Sequence, residues 1–316
     1  EQSNASYTAF VGGIFQDSKT NMMSRGNTYT LVEADEFDRS FLHLSPTIAC
    51  ITSMDLDHLD VYSDAASLQA AYVEFASQVK EALFVEKNIA LNGITYSVLE
   101  EADFYIDAIK PDASGSYFDL HTPDGVYKNQ FFNQLGMHNL SNALVALAMA
   151  SKAGLQLQDL VKSLATFPGV QRRLQVLINN DNRVLIDDYA HHPTEIKAVY
   201  ETLKLSFPTE EKCVVFQPHL FSRTQDFMKD FARVLSLFDR VLLLDIYAAR
   251  ELPIAGVSSA ALKEMISGPS VELITKKDLA NRLSLVEERI IVLLGAGDIG
   301  EEVEAIKHKL LYDEAL

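Results

Sequence analysis

Cysteine is scarce in this chain, and its two copies are far apart in sequence. Cys50 and Cys213 each lie in an apolar, strand-like stretch, which is typical of a buried and reduced thiol. No cysteine spacing indicates a zinc site or a disulfide framework. The scarcity therefore excludes a fold that depends on either kind of cross-link.

Positive charge and long apolar runs are also in short supply. Lys and Arg number 27 against 44 Asp and Glu, which gives a net charge of -17 and a pI of about 4.8. Nucleic acid is excluded as a partner because phosphate backbones need a basic face, whereas a nucleotide ligand needs only a local cationic site. No apolar run approaches the roughly 18 residues of a membrane span, and no signal peptide is visible. We therefore expect a soluble, cytoplasmic protein with no membrane partner.

Several catalytic signatures are missing as well. The chain has no Gly-x-Ser-x-Gly, and neither cysteine sits in a cationic turn, so no nucleophilic constellation is indicated. It also has no Gly-x-x-x-x-Gly-Lys-[Ser/Thr] loop to cradle phosphates. Since the sequence begins at Glu1 without an obvious domain opening, we expect an N-terminal truncation that removed such a loop.

The composition and the alternation of elements predict two α/β domains, 1–170 and 171–316. Hydrophobic content of 48% and charged content of 22% are typical of packed cores. Strands are predicted at 183–187, 212–216, 240–245, 271–274 and 290–294. Helices are predicted between them at 194–206, 223–238, 258–267, 276–288 and 298–311. This alternation indicates a doubly wound, mostly parallel, Rossmann-like C-terminal domain.

The first domain has a weaker pattern. Strands are predicted at 9–14, 29–34, 47–52, 82–85 and 104–109, with a hairpin at 117–127. Helices are predicted at 65–80, 140–153 and 157–165. The order favours an α/β domain.

Two predicted strands of the first domain end in acidic clusters. Residues 33–38 contain Glu33, and residues 55–60 contain His58 among three aspartates. Carboxylate oxygens with one imidazole suit Mg²⁺ or Mn²⁺ beside substrate phosphates. The alternative is a pair of solvated acidic loops that cap helices.

Ionisable side chains also follow three successive strands of the second domain. The stretches are 187–195 (Asp-Asp-Tyr-Ala-His-His-Pro-Thr-Glu), 217–224 and 247–254. In an open α/β sheet ligands bind at the carboxyl ends of the strands, so the pattern predicts a site along that edge. Chance polarity of loops is the competing explanation. The turn 295–298 is glycine-rich but is weak as a dinucleotide motif.

Two further clusters have alternative interpretations. Gly136-Met-His-Asn139 with Asn142 offers amides that could read an adenine edge or a ribose, or it is simply a capped helix start. Arg172 and Arg173 lie in the predicted linker. In so acidic a chain they could clamp a phosphoryl group, although surface arginines are common.

Taken in order, these motifs resemble the Mur ligase family. The matching segments are 33–41, 57–62, 136–143, 172–173, 187–195, 216–224, 253–256 and 295–298. The resemblance implies an intact enzyme of three domains: one for a UDP-sugar, a central ATP-binding domain and a C-terminal ligase domain. This chain would begin inside the central domain, after the P-loop, and we expect such a fragment to be inactive and to bind ATP weakly on its own.

The resemblance also implies a reaction in peptidoglycan biosynthesis. ATP with Mg²⁺ (or Mn²⁺) would convert the lactyl carboxylate of UDP-N-acetylmuramate to an acyl phosphate, which the amine of L-alanine then attacks. Carried over, Glu33 and His58 would hold the metal. The implied nucleotide-binding residues are His138, Asn139 and Asn142 at the adenine, Asp188 at the ribose, and Arg172 and Tyr189. The implied catalytic residues are Arg173 at the γ-phosphate, His191 at the reacting centre, and His219 and Arg223 at the carboxylate or amino acid.

Two departures from the family pattern matter. Leu220 stands where we expect an arginine, and Ser53 stands where we expect an asparagine. The first weakens the substrate role of His219 and Arg223. Two alternatives stay open: a family member that joins a murein tripeptide to the same sugar nucleotide, and a non-catalytic nucleotide-binding module. The sequence predicts no oligomeric state.

Overall fold

The chain forms two compact units, 1–168 and 169–316. The computed structural model describes residues 5–16, 18–54, 61–62 and 64–313. The division lies close to residue 170, where the sequence places the domain boundary. No helix in the described part is long and apolar enough to cross a membrane. The cytoplasmic location stays a prediction.

The first unit begins with a small sheet of three short strands. They are β1 (Tyr7–Phe10), β2 (Met22–Ser24) and β3 (Tyr29–Val32) in the order β2-β1-β3. β1 runs parallel to β3 and antiparallel to β2. β2 was not predicted, and β1 ends at Phe10 rather than at residue 14 because a bend at Gly12 and Gly13 follows.

A six-stranded sheet is the larger sheet of the first unit. Its strands, in spatial order, are β4 (Ile48–Ile51), β5 (Ala82–Glu86), β6 (Ile94–Val98), β7 (Phe104–Asp112), β8 (Gly115–Thr122) and β9 (Gly125–Phe132). The first four are parallel, and β7 to β9 form an antiparallel meander. β6 was not predicted. The two acidic clusters therefore follow strands of different sheets, β3 and β4.

Helices cover both faces of this sheet. They are α1 (Ala65–Ser77), α2 (Met137–Lys152) and α3 (Leu157–Ser163). In β4, Ile48 and Cys50 pack in the core with α2, whereas Ala49 and Ile51 pack with α1. Since alternate residues of a strand point to opposite faces, the two cores lie on opposite sides of the sheet.

The second unit is the predicted doubly wound sheet. Its strands are β10 (Gln175–Asn179), β11 (Val184–Asp188), β12 (Lys212–Phe216), β13 (Arg240–Leu243), β14 (Ser270–Leu273) and β15 (Ile290–Leu294), in the order β10-β11-β15-β12-β13-β14. All neighbours are parallel except β10, which pairs antiparallel with β11 and was not predicted. The predicted fold class, α/β with mostly parallel sheets, is confirmed.

Four helices connect the strands from β11 to β15, and a fifth follows β15. They are α4 (Pro193–Ser206), α5 (Phe221–Leu235), α6 (Ser259–Lys263), α7 (Lys276–Leu283) and α8 (Val303–Asp313). α5, α6 and α7 end earlier than predicted. The predicted start of the last helix is a 3-10 turn, Asp298–Glu302, that precedes α8. Every residue of β11, β12 and β15 is buried, as expected for strands covered on both faces.

Candidate functional site

The carboxyl edge of the second sheet collects the segments that the sequence singled out. β15 lies between β11 and β12, so the turn after β15 is flanked by 189–192 on one side and by 217–220 on the other. The segment after β13 joins them, because His219 and Tyr247 form a parallel bridge. The three polar strand ends thus share one edge.

The glycine-rich turn after β15 is shaped by Gln217. A Cβ on Gly295 would lie 2.7 Å from the backbone oxygen of Gln217, and a Cβ on Gly297 would lie 2.4 Å from its side-chain oxygen. The buried Gln217 amide donates to Asp298 at 2.7 Å and accepts the N–H of Ile299 at 3.0 Å. The glycines are therefore needed for close packing of two strand ends, which is a structural role.

Arg172 holds the same turn from the other side. Its guanidinium donates to the carbonyls of Gly295 and Gly297 and lies 4.9 Å from the centre of the Tyr189 ring. Its Nε lies 3.6 Å from an oxygen of the buried Asp187. The Arg172 side chain therefore makes its contacts within the second unit. The nucleotide-binding role of Arg172 stays a prediction, and its guanidinium lies against the Tyr189 ring.

The two residues that flank Arg173 have strained backbones. Arg172 and Leu174 have φ of 57° and 43°, a region that costs a non-glycine residue about 1–3 kcal/mol. The turn is held by Asp188, which accepts the N–H of Leu174 and of Ala190, each at 2.7 Å. Arg173 is exposed at this turn. The structure thus gives Asp188 a clear structural role, whereas its ribose contact stays a prediction.

Burial is the main influence on the pKa of both aspartates at the end of β11. Burial raises the pKa of Asp187 from 3.8 to about 6, although Arg172 opposes this change. It also raises the pKa of Asp188, against the two backbone N–H groups that the carboxylate accepts. Ionisation of either carboxylate therefore costs more free energy in the folded protein than in water.

His191 is oriented by its own turn. Its Nδ1 lies 2.9 Å from the carbonyl oxygen of Tyr189 and 3.6 Å from Glu195. Glu195 accepts the backbone N–H of His191 and of His192, and His192 caps α4, which opens with Pro193. Burial lowers the pKa of His191, so its imidazole is neutral at pH 7.

His219 faces His191 across the glycine turn. The two rings lie 5.9 Å apart, and Tyr247 stacks on His219 at 5.6 Å. Arg223 places a guanidinium nitrogen 3.3 Å from Nδ1 of His219. Burial, followed by the positive charge of Arg223, lowers the pKa of His219. The structure therefore brings three predicted residues, His191, His219 and Arg223, into one cluster.

The start of α5 is also strained. Leu220 has φ of 70°, and its N–H donates to the carbonyl of Tyr247 at 2.9 Å. The carboxylate of Glu251 accepts the hydroxyl and the N–H of Ser222, at 2.5 and 2.9 Å. Positive φ at a non-glycine residue is common at functional sites. These contacts fix the direction from which Arg223 approaches His219.

In the first unit, Glu33 lies exposed directly after β3. Its carboxylate accepts the N–H of Gly12 at 2.6 Å. Nearby, the segment after β3 and the end of β4 line a cavity of about 100 Å³, whose wall includes Glu36 and Ser53. Residues 55–60 with His58 lie outside the described residues. Within the described part, no group of three or more His, Cys, Asp or Glu could hold a metal ion.

The predicted adenine readers lie at the start of α2. His138 and Asn142 are exposed, and Asn139 donates its amide to the carbonyl of Leu135 at 2.8 Å. Gly136 precedes the helix with φ of 94°. His138 and Asn142 share a face of the helix because they are four residues apart. The structure leaves these two side chains accessible to a ligand.

Sequence reasoning missed three residues of the second unit. Gln217 and Asp187 were noted only as parts of motifs, and Tyr247 was noted only as part of a polar strand end. The pair Gly295 and Gly297 was the available signal for Gln217, because paired glycines indicate close approach of another backbone. Nothing in the sequence indicated that Tyr247 would stack on His219.

Comparisons with known proteins cover both units. Residues 15–150 match the family described as Mur ligase middle domain, and residues 172–297 match the one described as Mur ligase, glutamate ligase domain. The UDP-N-acetylmuramate--L-alanine ligase of Christiangramia forsetii is 49% identical over 315 residues, which is 99% of this chain and 70% of that protein. The protein of the same name from Flavobacterium psychrophilum is 48% identical over 98% of this chain and 69% of its own length.

Solved structures share the fold. The UDP-N-acetylmuramate-alanine ligase of Thermotoga maritima superposes with a TM-score of 0.79 at 24% identity, over 98% of this chain and 70% of that one. The MurF ligase of Thermotoga maritima, in complex with ADP, superposes with a TM-score of 0.71 at 16% identity, over 98% of this chain and 74% of that one.

Proposed function

The chain belongs to the Mur ligase family, and from this premise we propose that its protein is a UDP-N-acetylmuramate--L-alanine ligase of peptidoglycan synthesis. The observation that carries the proposal is the 49% identity to a ligase of that name over 99% of the chain. The reaction uses ATP to form an amide bond between the lactyl carboxylate of UDP-N-acetylmuramate and L-alanine.

The reaction has two steps. A carboxylate oxygen takes the γ-phosphoryl group of ATP, and ADP leaves. The amine of L-alanine then attacks the acyl carbon, the bond to the phosphate oxygen breaks, and phosphate departs with the electron pair. Phosphoryl transfer depends on positioning and charge, so cations near the phosphates matter most.

Arg173 is our choice for the γ-phosphate contact. It is exposed at a turn whose flanking residues have φ of 57° and 43°, and the carboxylate of Asp188 holds that turn. A guanidinium is always charged and binds phosphate oxygens in a fixed geometry. Arg172, by contrast, is engaged inside the second unit.

The nucleotide base would meet α2, and the reacting carboxylate and amine would meet the histidine cluster. His138, Asn139 and Asn142 provide amide and imidazole groups at the adenine, while Tyr189 borders the nucleotide. His219 and Arg223 face the carboxylate or the amino acid. These roles rest on accessible polar groups and on the family resemblance.

The donor set of the first unit fits Mg²⁺. The carboxylate of Glu33 is a hard oxygen ligand and lies exposed after β3, and His58 completes the proposed pair outside the described residues. When bound, the ion neutralises phosphate charge.

An amino-acid competition assay on the full protein tests the proposal. We expect ATP-dependent phosphate release that requires UDP-N-acetylmuramate and L-alanine. Turnover with the murein tripeptide but not with alanine would instead assign the recycling reaction. Nucleotide binding without any turnover would favour a non-catalytic module.

A further inference from the structure

The hydrogen-bond partner of His191 determines which of its nitrogens carries the proton. Nδ1 lies 2.9 Å from the carbonyl oxygen of Tyr189, and a carbonyl can only accept. In the neutral ring Nδ1 must therefore be the protonated nitrogen, which leaves a lone pair on Nε2. His191 thus presents a proton acceptor on the side away from its own turn.

His219 has the opposite arrangement. Its Nδ1 lies 3.3 Å from a guanidinium nitrogen of Arg223, and a guanidinium can only donate. Nδ1 therefore keeps its lone pair, and in the neutral ring the proton sits on Nε2. His219 presents a hydrogen-bond donor where His191 presents an acceptor, and their ring centres are 5.9 Å apart.

The surrounding groups keep both rings neutral yet prepare His191 to take a proton. Burial lowers the pKa of both imidazoles, and the positive charge of Arg223 lowers them further. Two carboxylates act in the other direction: Glu195 raises the pKa of His191, and Glu251 raises that of His219. Of these two rings, His191 has a carboxylate oxygen of Glu195 at 3.6 Å, so an imidazolium would be stabilised there.

From these contacts we propose that His191 is the proton acceptor for the attacking amine and that His219 is a hydrogen-bond donor to the carboxylate-derived oxygens. This inference rests on the proposed function and deepens it. As the amine nitrogen bonds to the acyl carbon, one of its protons passes to Nε2 of His191. The carbon–oxygen bond to phosphate breaks, phosphate leaves with the electron pair, and the imidazolium returns its proton to solvent.

The tautomers are tested directly by nuclear magnetic resonance. The protein is labelled with ring-¹⁵N histidine, and the resonances are assigned from the spectra of His191→Gln and His219→Gln. We expect the proton of His191 on Nδ1 and that of His219 on Nε2 at pH 7.5. A proton on Nε2 of His191 would overturn the proposal, because that nitrogen could not then accept one. This measurement does not depend on ligase activity.

Hydroxylamine, used in place of L-alanine, tests whether His191 acts as the base in the second step. It traps acyl phosphates and is largely uncharged near neutral pH, so it has little need of a protein base. For His191→Gln we expect alanine-dependent turnover to fall by roughly 10²- to 10⁴-fold. Formation of the hydroxamate should stay within a few-fold of that of the wild-type protein.

His219→Gln and His192→Asn are the comparison variants. Gln retains an N–H near the position of Nε2, so His219→Gln should keep more alanine-dependent turnover than His191→Gln. His192 caps α4 and packs on Phe227 at 4.5 Å, and Asn can also cap a helix, so His192→Asn controls for the local fold.

Three outcomes are distinguishable. Equal loss of alanine and hydroxylamine turnover in His191→Gln would refute the base role and would assign His191 to positioning or to the first step. Equal retention of both would also refute it. Absence of hydroxamate in the wild-type protein would instead refute the proposed function itself.

Discussion

Replacing Asp187 by asparagine should remove a pH dependence from the stability of the second unit. Asp187 is 2% exposed, and one of its oxygens has no hydrogen-bond partner in the described part of the chain. Burial raises its pKa from 3.8 to about 6 despite the nearby guanidinium of Arg172. Desolvation therefore outweighs the ion pair, as it often does for buried charges.

The size and sign of the effect follow from linkage. Between pH 4 and 6 the folded protein keeps a proton on Asp187 that the unfolded chain releases. The free energy of unfolding therefore falls as pH rises, by about 1.4 kcal/mol per pH unit. The stabilisation is complete below about pH 4 and is lost above about pH 6, and the total is roughly 3 kcal/mol.

Hydrogen exchange in urea, read on the peptide that contains β11, measures this effect. We expect the opening free energy of the wild-type protein minus that of Asp187→Asn to fall by roughly 3 kcal/mol between pH 4 and 7. Other titrating groups, Asp188 included, are present in both proteins and largely cancel. Asp181→Asn, at an exposed position, is the matched control for the loss of one carboxylate.

If the opening free energy of the wild-type protein minus that of Asp187→Asn rises with pH, the attraction of Arg172 exceeds the cost of burial. A difference that stays constant would show that Asp187 titrates alike in the folded and unfolded chains. Either result would refute the reasoning.

Two further predictions concern packing and charge in this protein. Gly295→Ala should cost about 1–3 kcal/mol of unfolding free energy more than Gly125→Ala. The two glycines have similar φ, 144° and 147°, but only a Cβ at residue 295 would meet an atom within 4 Å. Equal losses of stability in thermal melts would show that φ alone matters. Glu288→Ala should lower the unfolding free energy by about 3–5 kcal/mol, because Arg240 loses its buried carboxylate partner. The Nε of Arg240 lies 2.8 and 2.9 Å from the two oxygens of Glu288. Asp230→Ala breaks an exposed ion pair of 2.6 Å and should cost about 1 kcal/mol or less, so similar losses in urea titrations would contradict the role of burial.

Local patterns account for most of the fold. The strands at 184–188, 212–216 and 290–294 are buried on both faces, and the helical stretches between strands require parallel pairing. The strands β2, β6 and β10 were not predicted, because they are short or mix polar and apolar residues. Their pairing with neighbouring strands, rather than their own pattern, makes them strands.

The candidate site was predicted as a set of residue types and not as a set of contacts. The position of three polar strand ends on one sheet edge follows from the alternation of strands and helices. The engagement of Arg172 with Gly295 and Gly297 does not, since it depends on β15 lying between β11 and β12.

By itself, the sequence determined the α/β class, the parallel sheet of the second unit and the family. Each of these is encoded locally, in hydrophobic periodicity and in motif order. Only the tertiary structure decided which nitrogen of His191 and of His219 is protonated, that Asp187 is buried at the cost of a raised pKa, and that Gln217 needs two glycines beside it. These properties depend on partners that are distant in sequence, and the partners become known only when the strand order is.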